Sequence, residues 1–280
     1  MDIKRRAKPL LGTYVEVSVP VSHAATADSA FEAVRQVHQL MSFHEEGSDV
    51  SRINRAEAGD VVSCDPSTIE VIELAKHLYE TTGGLFDICV APRLVRSGYL
   101  PANASAPLHR FDGSNPDDIE ILEGNRVHLR RPVMIDLGGI AKGYAVDRAI
   151  ECLQGQGVPA AMVNAGGDLR HYGDEPWRVH LRNADGTVGE VMSLRPCAIA
   201  SSANSLTRKR KLSGAVTPHI GPDGKAVRID RTISVLAKSC MLADAMTKVA
   251  MTDRCLADRL LVGEGGYVLG PAMERPKVPA

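Results

Sequence analysis

The sequence predicts an α+β protein, because its strands and helices do not alternate one for one. Alternation of polar and apolar residues predicts strands over Thr13–Val19 and Trp177–Arg182, and helical spacing separates only some of the predicted strands. That order disfavours a doubly wound parallel sheet, in which each strand is followed by a helix. A chain of 280 residues can bury a large core. We therefore expect mixed or antiparallel sheets with packed helices, in one domain over residues 1–280 with two intimately packed lobes.

The first elements follow from local periodicity. Thr13–Val19 alternates and predicts a strand. Apolar residues recur at helical spacing from about Ala27, and Asp28 or Ser29 is placed to cap that helix. A short helix is predicted over Ser48–Asn54, begun by one of its first two residues.

The middle and the end of the chain contain clearer boundaries. Asp65 followed by Pro66 is typical of a helix cap and first turn. Residues 96–127 are rich in turn formers and predict loops with one short helix near Asp117–Leu122, and residues 202–231 form a long polar segment. The remaining predictions are strands over Val127–Arg130, Val133–Leu137, Ala160–Asn164, Trp177–Arg182 and Ser234–Ala237, and helices over Ile140–Leu153 and Met241–Met251.

Composition excludes several classes of protein. A formal net charge of -1 gives no reason to expect nucleic acid as a partner. The six cysteines show no spacing typical of a zinc or redox site, which suggests free thiols in a reducing compartment. No run approaches the roughly 20 apolar residues that span a bilayer, and no signal-like leader is visible, so we expect a cytoplasmic protein without a transmembrane segment.

Three glycine turns recur after predicted elements, within Thr82–Asp87, Ile135–Gly143 and Asn164–Asp168. In the second, a strand ends at Asp136 and a helix begins after two glycines, so its free N–H groups predict an anion site. Lys142 lies in the first turn of that helix, where a cation is unfavourable unless it faces a negative group such as a phosphate. The spacing is that of neither a Rossmann fingerprint nor a P-loop. Tight turns in an ordinary packed core remain an alternative.

Asp244 and Thr247 share one face of an otherwise apolar helix, with Asp244 expected in its first turn. One interpretation is structural: Asp244 favours the helix dipole and Thr247 bonds to a carbonyl. The other is a hard oxygen site for Mg²⁺. The pattern alone leaves both open.

Taken together, these segments resemble the ApbE family of FAD:protein FMN transferases. The order and spacing of the matching segments make the resemblance specific, and the stretch from Ile135 to Asp147 is the strongest part. The matching segments are Pro9–Thr13, Leu40–Phe43, Ser48–Asn54, Gly84–Asp87, Ile135–Asp147, Val163–Asp168 and Ala243–Ala245.

The resemblance implies a T-fold-like architecture and an enzyme that uses FAD as substrate and Mg²⁺ as cofactor. It implies transfer of FMN to a Thr or Ser hydroxyl of an acceptor flavoprotein, with release of AMP. His219 corresponds to a candidate general base, and a metal would be held by Gly139, Asp244 and Thr247. The residues implied to contact FAD are Leu11, Phe43, Leu85, Phe86, Asp87, Asp136, Lys142 and Ile220.

The chain departs from the family pattern at several places, and two of them fall at candidate site residues. The family's H-x-I-D-P-x-T-G segment reads here as His219-Ile220-Gly221-Pro222-Asp223-Gly224, and Lys248 stands four residues after Asp244, where common members carry the metal threonine. An FAD-binding protein that holds or slowly hydrolyses FAD without transfer is therefore the alternative function. A structural protein with incidental glycine turns is a third possibility.

Overall fold

The computed structural model describes residues 2–102, 107–183, 187–203, 209–211, 214–221, 224–225, 227, 229 and 231–270. The helices are α1 Ala27–Met41, α2 Asp49–Arg55, α3 Pro66–Thr81, α4 Ala91–Arg96, α5 Ala141–Gly155, α6 Cys240–Thr252 and α7 Arg254–Gly263. The strands are β1 Ile3–Leu10, β2 Thr13–Pro20, β3 Val61–Ser63, β4 Ile119–Leu122, β5 Arg126–Leu129, β6 Ala161–Ala165, β7 Asp168–Tyr172, β8 Trp177–Arg182, β9 Val188–Leu194, β10 Cys197–Ser202, β11 Lys209–Lys211, β12 Gly214–Val216, β13 Ile233–Ala237 and β14 Tyr267–Val268.

A seven-stranded antiparallel sheet, in the order β1-β2-β6-β7-β10-β13-β14, organises the fold. Three smaller antiparallel sheets, β3-β5-β4, β8-β9 and β11-β12, accompany it. This mixture confirms the predicted α+β class with antiparallel sheets and packed helices.

The two faces of the large sheet pack against different layers. Along β10, Ala198 and Ala200 belong to the main core under the helices, whereas Ile199 belongs to a second cluster. The main core includes α1, α5 and α6, which all contact the sheet. Helix α5 also contacts both α1 and α6. The second cluster is completed by Val179 and Leu194 of the β8–β9 hairpin. Alternating apolar side chains therefore bury both faces, as a sheet between two layers requires.

Helix caps account for several boundaries. Ser48 accepts a hydrogen bond from the Ser51 amide, and Asp65 accepts one from the Ser67 amide, so both predicted caps are confirmed. The predicted capping of α1 by Asp28 or Ser29 is wrong, because α1 begins after Thr26 without a side-chain cap. Asp28 pairs instead with Arg6 and Lys8 of β1.

Two other predicted elements differ in the structure. The helix expected near Asp117–Leu122 is a single 3₁₀ turn over Pro116–Asp118 followed by β4, since Ile119 pairs with Leu129. The strand expected over Val133–Leu137 joins no sheet. Its backbone is held by Asn54, whose side chain accepts from the Ile135 amide at 2.7 Å and donates to the Ile135 carbonyl at 3.0 Å.

The predicted polar segment 202–231 lies partly outside the described residues; its described part includes the β11–β12 ladder. All six cysteines are free thiols. Across the described ranges, no helix combines the length and the apolar character that crossing a bilayer would need.

Candidate active site

A cavity of about 670 Å³ opens where several loops converge. It is bounded by the β1–β2 turn, the segments that follow α1 and α3, the start of α5, and residues 218–221. The structure brings together ten of the residues singled out from the sequence, as lining of this one cavity: Leu11, Phe43, Leu85, Phe86, Asp87, Asp136, Gly139, Lys142, His219 and Ile220. Asp244 and Thr247 are fully buried and do not line it.

One wall of the cavity is apolar and contains two carboxyl groups. Phe43 and Phe86 are buried side chains of this wall. Burial raises the pKa of Asp87, whose carboxylate accepts from the Cys89 amide, and that of Asp136, which accepts from the Gly138 amide. Desolvation of a carboxyl disfavours its charge, and N–H donors of a ligand would restore to either carboxylate the hydrogen bonds that burial removes.

Leu11 reaches this cavity from a strained turn. Leu11 and Gly12 form the two-residue loop between β1 and β2, with φ values of 55° and 68°. A left-handed conformation costs a non-glycine residue roughly 1–2 kcal/mol. Leucine at this position therefore contributes an apolar side chain to the cavity but makes the turn less stable.

We expect Leu11→Asn to weaken flavin binding without destabilising the protein. Asparagine tolerates the left-handed region better than leucine, so the free energy of unfolding in urea should stay within about 1 kcal/mol of wild type or rise. A fluorescence titration with FAD should show lower affinity. A clear loss of stability would mean that Leu11 supports the core.

The floor of the cavity contains a cluster of two lysines and two aspartates. Lys142 forms an ion pair with Asp168, and its Nζ lies 3.5 Å from Asp244 Oδ2. Lys248 forms an ion pair with the other oxygen of Asp244 and donates to the Asp244 carbonyl at 2.9 Å. Both carboxylates are almost completely buried, with 3% and 0% of the side chain exposed, whereas the lysines reach the cavity wall. Lys142 thus does face a negative group, namely two carboxylates of the protein.

Burial and charge act in opposite directions on this cluster. Burial favours the neutral form of Asp244, but Lys142 and Lys248 outweigh it and lower the pKa of this carboxyl. Burial likewise opposes the charge of Lys142, yet Asp168 and Asp244 raise its pKa. The pKa of Asp168 is raised by burial and by the charge of Asp244. A charged Asp244 between two ammonium groups is therefore the stable arrangement.

Close backbone approach positions the cluster. A Cβ on Gly143 would lie 2.2 Å from the Cys240 carbonyl oxygen, so only glycine allows α5 and α6 to approach this closely. The Gly143 amide donates to Asp244 Oδ2 at 3.2 Å. On the other side, Gly166 and Gly167 form the two-residue turn that leads from β6 to Asp168.

His219 lies beside this cluster, half-buried in the cavity wall. Burial, together with the nearby Lys248, lowers the pKa of its imidazole to about 4. This pKa is below the value of about 6.5 of an unperturbed histidine. The ring is therefore neutral at neutral pH and able to accept a proton.

We expect His219 in the flavin-free protein to titrate near pH 4, because burial and Lys248 both disfavour the imidazolium. The imidazole proton signals followed by NMR, assigned with His219→Gln, should keep neutral-ring shifts down to about pH 5. A midpoint near pH 6.5 would show that water reaches the ring freely.

Gly139, Asp244 and Thr247, the residues expected to hold magnesium, lie around the side chain of Lys248. A Cβ on Gly139 would lie 3.6 Å from Lys248 Cε, and the lysine ammonium occupies Asp244 Oδ1. The Thr247 hydroxyl donates to the Asp244 carbonyl at 2.7 Å and lies 2.8 Å from Ser202 Oγ. Among the described residues, no group of three or more His, Cys, Asp or Glu side chains is arranged to hold a metal. This donor set does not fit a divalent ion while Lys248 is in place.

The position of Asp244 also differs from the expectation. Helix α6 begins at Cys240, with Ser239 as its cap, so Asp244 lies in the second turn. Its carboxylate therefore does not serve the helix dipole, and its partners are Lys142, Lys248 and the Gly143 amide.

Comparison with known proteins places this geometry in a family. The sequence profile of the ApbE family matches residues 11–255. The chain belongs to the ApbE family. A relative in Vibrio cholerae, named FAD:protein FMN transferase, is 28% identical over 229 residues, which cover 76% of this chain and 69% of the relative. A relative of the same name in Rhodobacter capsulatus is 30% identical over 269 residues, covering 89% of this chain and 50% of its own longer sequence.

Solved structures of ApbE proteins share the fold. The ApbE protein of Thermotoga maritima superposes with a TM-score of 0.84 at 25% identity and covers 99% of this chain and 97% of its own. The flavin transferase ApbE of Vibrio cholerae gives a TM-score of 0.79 at 24% identity, over 95% of this chain and 92% of its own. These similarities confirm the predicted ApbE-type fold.

Some cavity residues were not singled out by the sequence. Arg93 of the short helix α4 and Tyr99 just after it line the cavity, but no motif in the sequence marked either residue. Asp168 was part of a glycine turn, and nothing in its spacing indicated a pair with Lys142. The i, i+4 relation of Asp244 and Lys248 was the one signal for that ion pair.

Proposed function

We propose that this ApbE protein transfers FMN from FAD to a Thr or Ser hydroxyl of an acceptor protein and releases AMP. The observation that supports this most is the cavity itself: an apolar wall with the carboxyl groups of Asp87 and Asp136 on one side, and Lys142 and Lys248 on the other. The wall suits a flat ring and the N–H donors of a base, and the ammonium groups suit a pyrophosphate. The relatives named FAD:protein FMN transferase support the same assignment.

The chemistry is a displacement at the phosphorus of the FMN half. The acceptor hydroxyl oxygen forms a new P–O bond, and the bond from that phosphorus to the bridging oxygen breaks. The bonding electrons leave with the oxygen on AMP, and the hydroxyl proton passes to the neutral imidazole of His219. Lys142 stabilises the negative charge that develops on the phosphate oxygens.

Magnesium dependence was implied by the resemblance, and it requires Lys248 to leave Asp244, because the ammonium occupies that carboxylate. The residues present can neutralise the pyrophosphate through Lys142 and Lys248, which both line the cavity.

The test is incubation with FAD and candidate acceptor proteins, followed by mass spectrometry of each acceptor for a covalently added FMN. AMP should appear in equal amount. FMN supplied instead of FAD should give no adduct, because it has no pyrophosphate to cleave. Release of FMN and AMP without any adduct would favour the alternative, FAD hydrolysis. FAD bound but left intact would favour a protein that only holds FAD.

We expect the protein to bind FAD more tightly than FMN. The ammonium groups of Lys142 and Lys248 match a pyrophosphate, and the cavity is large enough to enclose part of the AMP half. Calorimetric titrations of the two flavins in the same buffer measure the difference. Equal or tighter binding of FMN would contradict a site built for FAD cleavage.

A further inference from the structure

The ammonium group of Lys248 is held as a fixed part of the site. It forms an ion pair with Asp244 Oδ1 and donates to the carbonyl of the same residue at 2.9 Å. Only 19% of its side chain is exposed. Asp244 Oδ1, the carboxylate oxygen that a small hard cation would use, is thus bound to a charged side chain.

The stem of Lys248 runs along the cavity floor. Its Cδ and Cε lie 4.0 and 3.6 Å from where a Cβ on Gly139 would be. The ammonium group at the end of the Lys248 side chain contacts Asp244 Oδ1, whereas Lys142 lies next to Asp244 Oδ2. Lys142 and Lys248 therefore flank one buried carboxylate and both line the cavity.

The charges of the cluster balance without a metal. Two lysines and two aspartates are neutral together, whereas a divalent ion at Asp244 would stand beside two ammonium groups. Repulsion between like charges is large in a poorly solvated site. Removing the charge of Lys248 would leave the cluster with a net negative charge and would free Asp244 Oδ1, while the Asp244 carbonyl would keep the hydroxyl of Thr247 as its donor.

We propose that the Lys248 ammonium takes the place of a divalent cation in this protein, and that Lys142 and Lys248 together bind the pyrophosphate of a dinucleotide without a metal. The second half of this inference rests on the proposed function, since it takes FAD as the ligand. The first half concerns the protein alone and is testable without flavin.

The first experiment measures Mn²⁺ binding to the flavin-free protein by electron paramagnetic resonance. Wild type should not bind Mn²⁺ at this site, and Lys248→Thr should bind about one ion per chain with an affinity at least tenfold higher. Broadening of the Gly139 and Gly143 amide NMR signals assigns the ion to this place. Lys238→Met, which removes an exposed lysine, is the matched control and should behave as wild type.

The second experiment titrates FAD in EDTA and in Mg²⁺. Wild-type affinity should be the same in both buffers, within about a factor of two. Lys248→Met should bind FAD roughly ten- to a hundredfold more weakly in EDTA, the loss expected for one charge-assisted hydrogen bond. Lys248→Thr should recover affinity in Mg²⁺ only, which shows that a metal can replace the ammonium.

The outcomes separate the two proposals. Mn²⁺ bound by wild type, with broadening of the Gly139 and Gly143 signals, would overturn the role of Lys248 whatever FAD does. Wild-type FAD affinity that rises tenfold or more with Mg²⁺ would overturn it as well, even if Lys248→Thr fails to fold. Wild type that binds FAD in neither buffer contradicts the proposed function instead, and the Mn²⁺ comparison still decides the identity of the resident cation.

Discussion

Replacing Gly143 with alanine is expected to destabilise the protein by about 3 kcal/mol, the upper end of the range for overpacked cores. The new Cβ would lie 2.2 Å from the Cys240 carbonyl oxygen and 2.8 Å from the Met241 Cα, so the backbone of α5 or α6 must move. That movement also separates Lys142 on α5 from Asp244 on α6. Urea denaturation should show the loss of stability, and an FAD titration should show the loss of binding.

The same helix offers a matched control. Gly155 is the last residue of α5, and a Cβ there would have nothing within 4 Å. Gly155→Ala should therefore be neutral or stabilising by up to about 1 kcal/mol, as helix propensity predicts. If Gly143→Ala is as stable as Gly155→Ala and still binds FAD, the contact between the two helices is looser than described.

Elements with strong local signals were predictable from sequence. The cap at Asp65 with Pro66 specifies the start of α3 because the side chain and the fixed φ act within one turn. The stretch Val133–Leu137 was not predictable, although its apolar residues resemble a strand. Its backbone hydrogen bonds go to the Asn54 side chain and the Ile88 carbonyl, which are distant in sequence. Tertiary partners of this kind leave no periodicity to detect.

The candidate site shows the same division. The resemblance to a family predicted most of the cavity-lining residues that were singled out, because the order and spacing of several motifs are specific where a single residue is not. The prediction that Asp244 lies in the first turn was wrong, because the Ser239 side chain caps the helix at the Leu242 amide and the helix begins one residue earlier than predicted, at Cys240. The ion pair of Asp168 with Lys142 required the β6–β7 turn to bring them together, which only the folded chain shows.

Replacing Asp244 with alanine is expected to cost about 3–5 kcal/mol, the range for removing one partner of a buried ion pair. This is more than the small dipole contribution expected from a first-turn position. Lys142 and Lys248 would be left with one carboxylate between them, and the Gly143 amide would lose its acceptor. Thermal and urea unfolding at neutral pH measure the change.

The pH dependence of stability tests the same contacts. The folded pKa of Asp244 is lowered, because the two lysines outweigh its burial. Its contribution is therefore fully present above the pKa of about 3.9 of an unfolded aspartate, and is lost as the pH falls through the folded value. The difference between wild type and Asp244→Ala should shrink on acidification. Asp28→Ala, which breaks an exposed pair with Arg6 and Lys8, should leave the unfolding midpoint nearly unchanged at neutral pH. An equally small effect of Asp244→Ala would show that the buried cluster does not stabilise the fold, and that its charges are kept for the ligand alone.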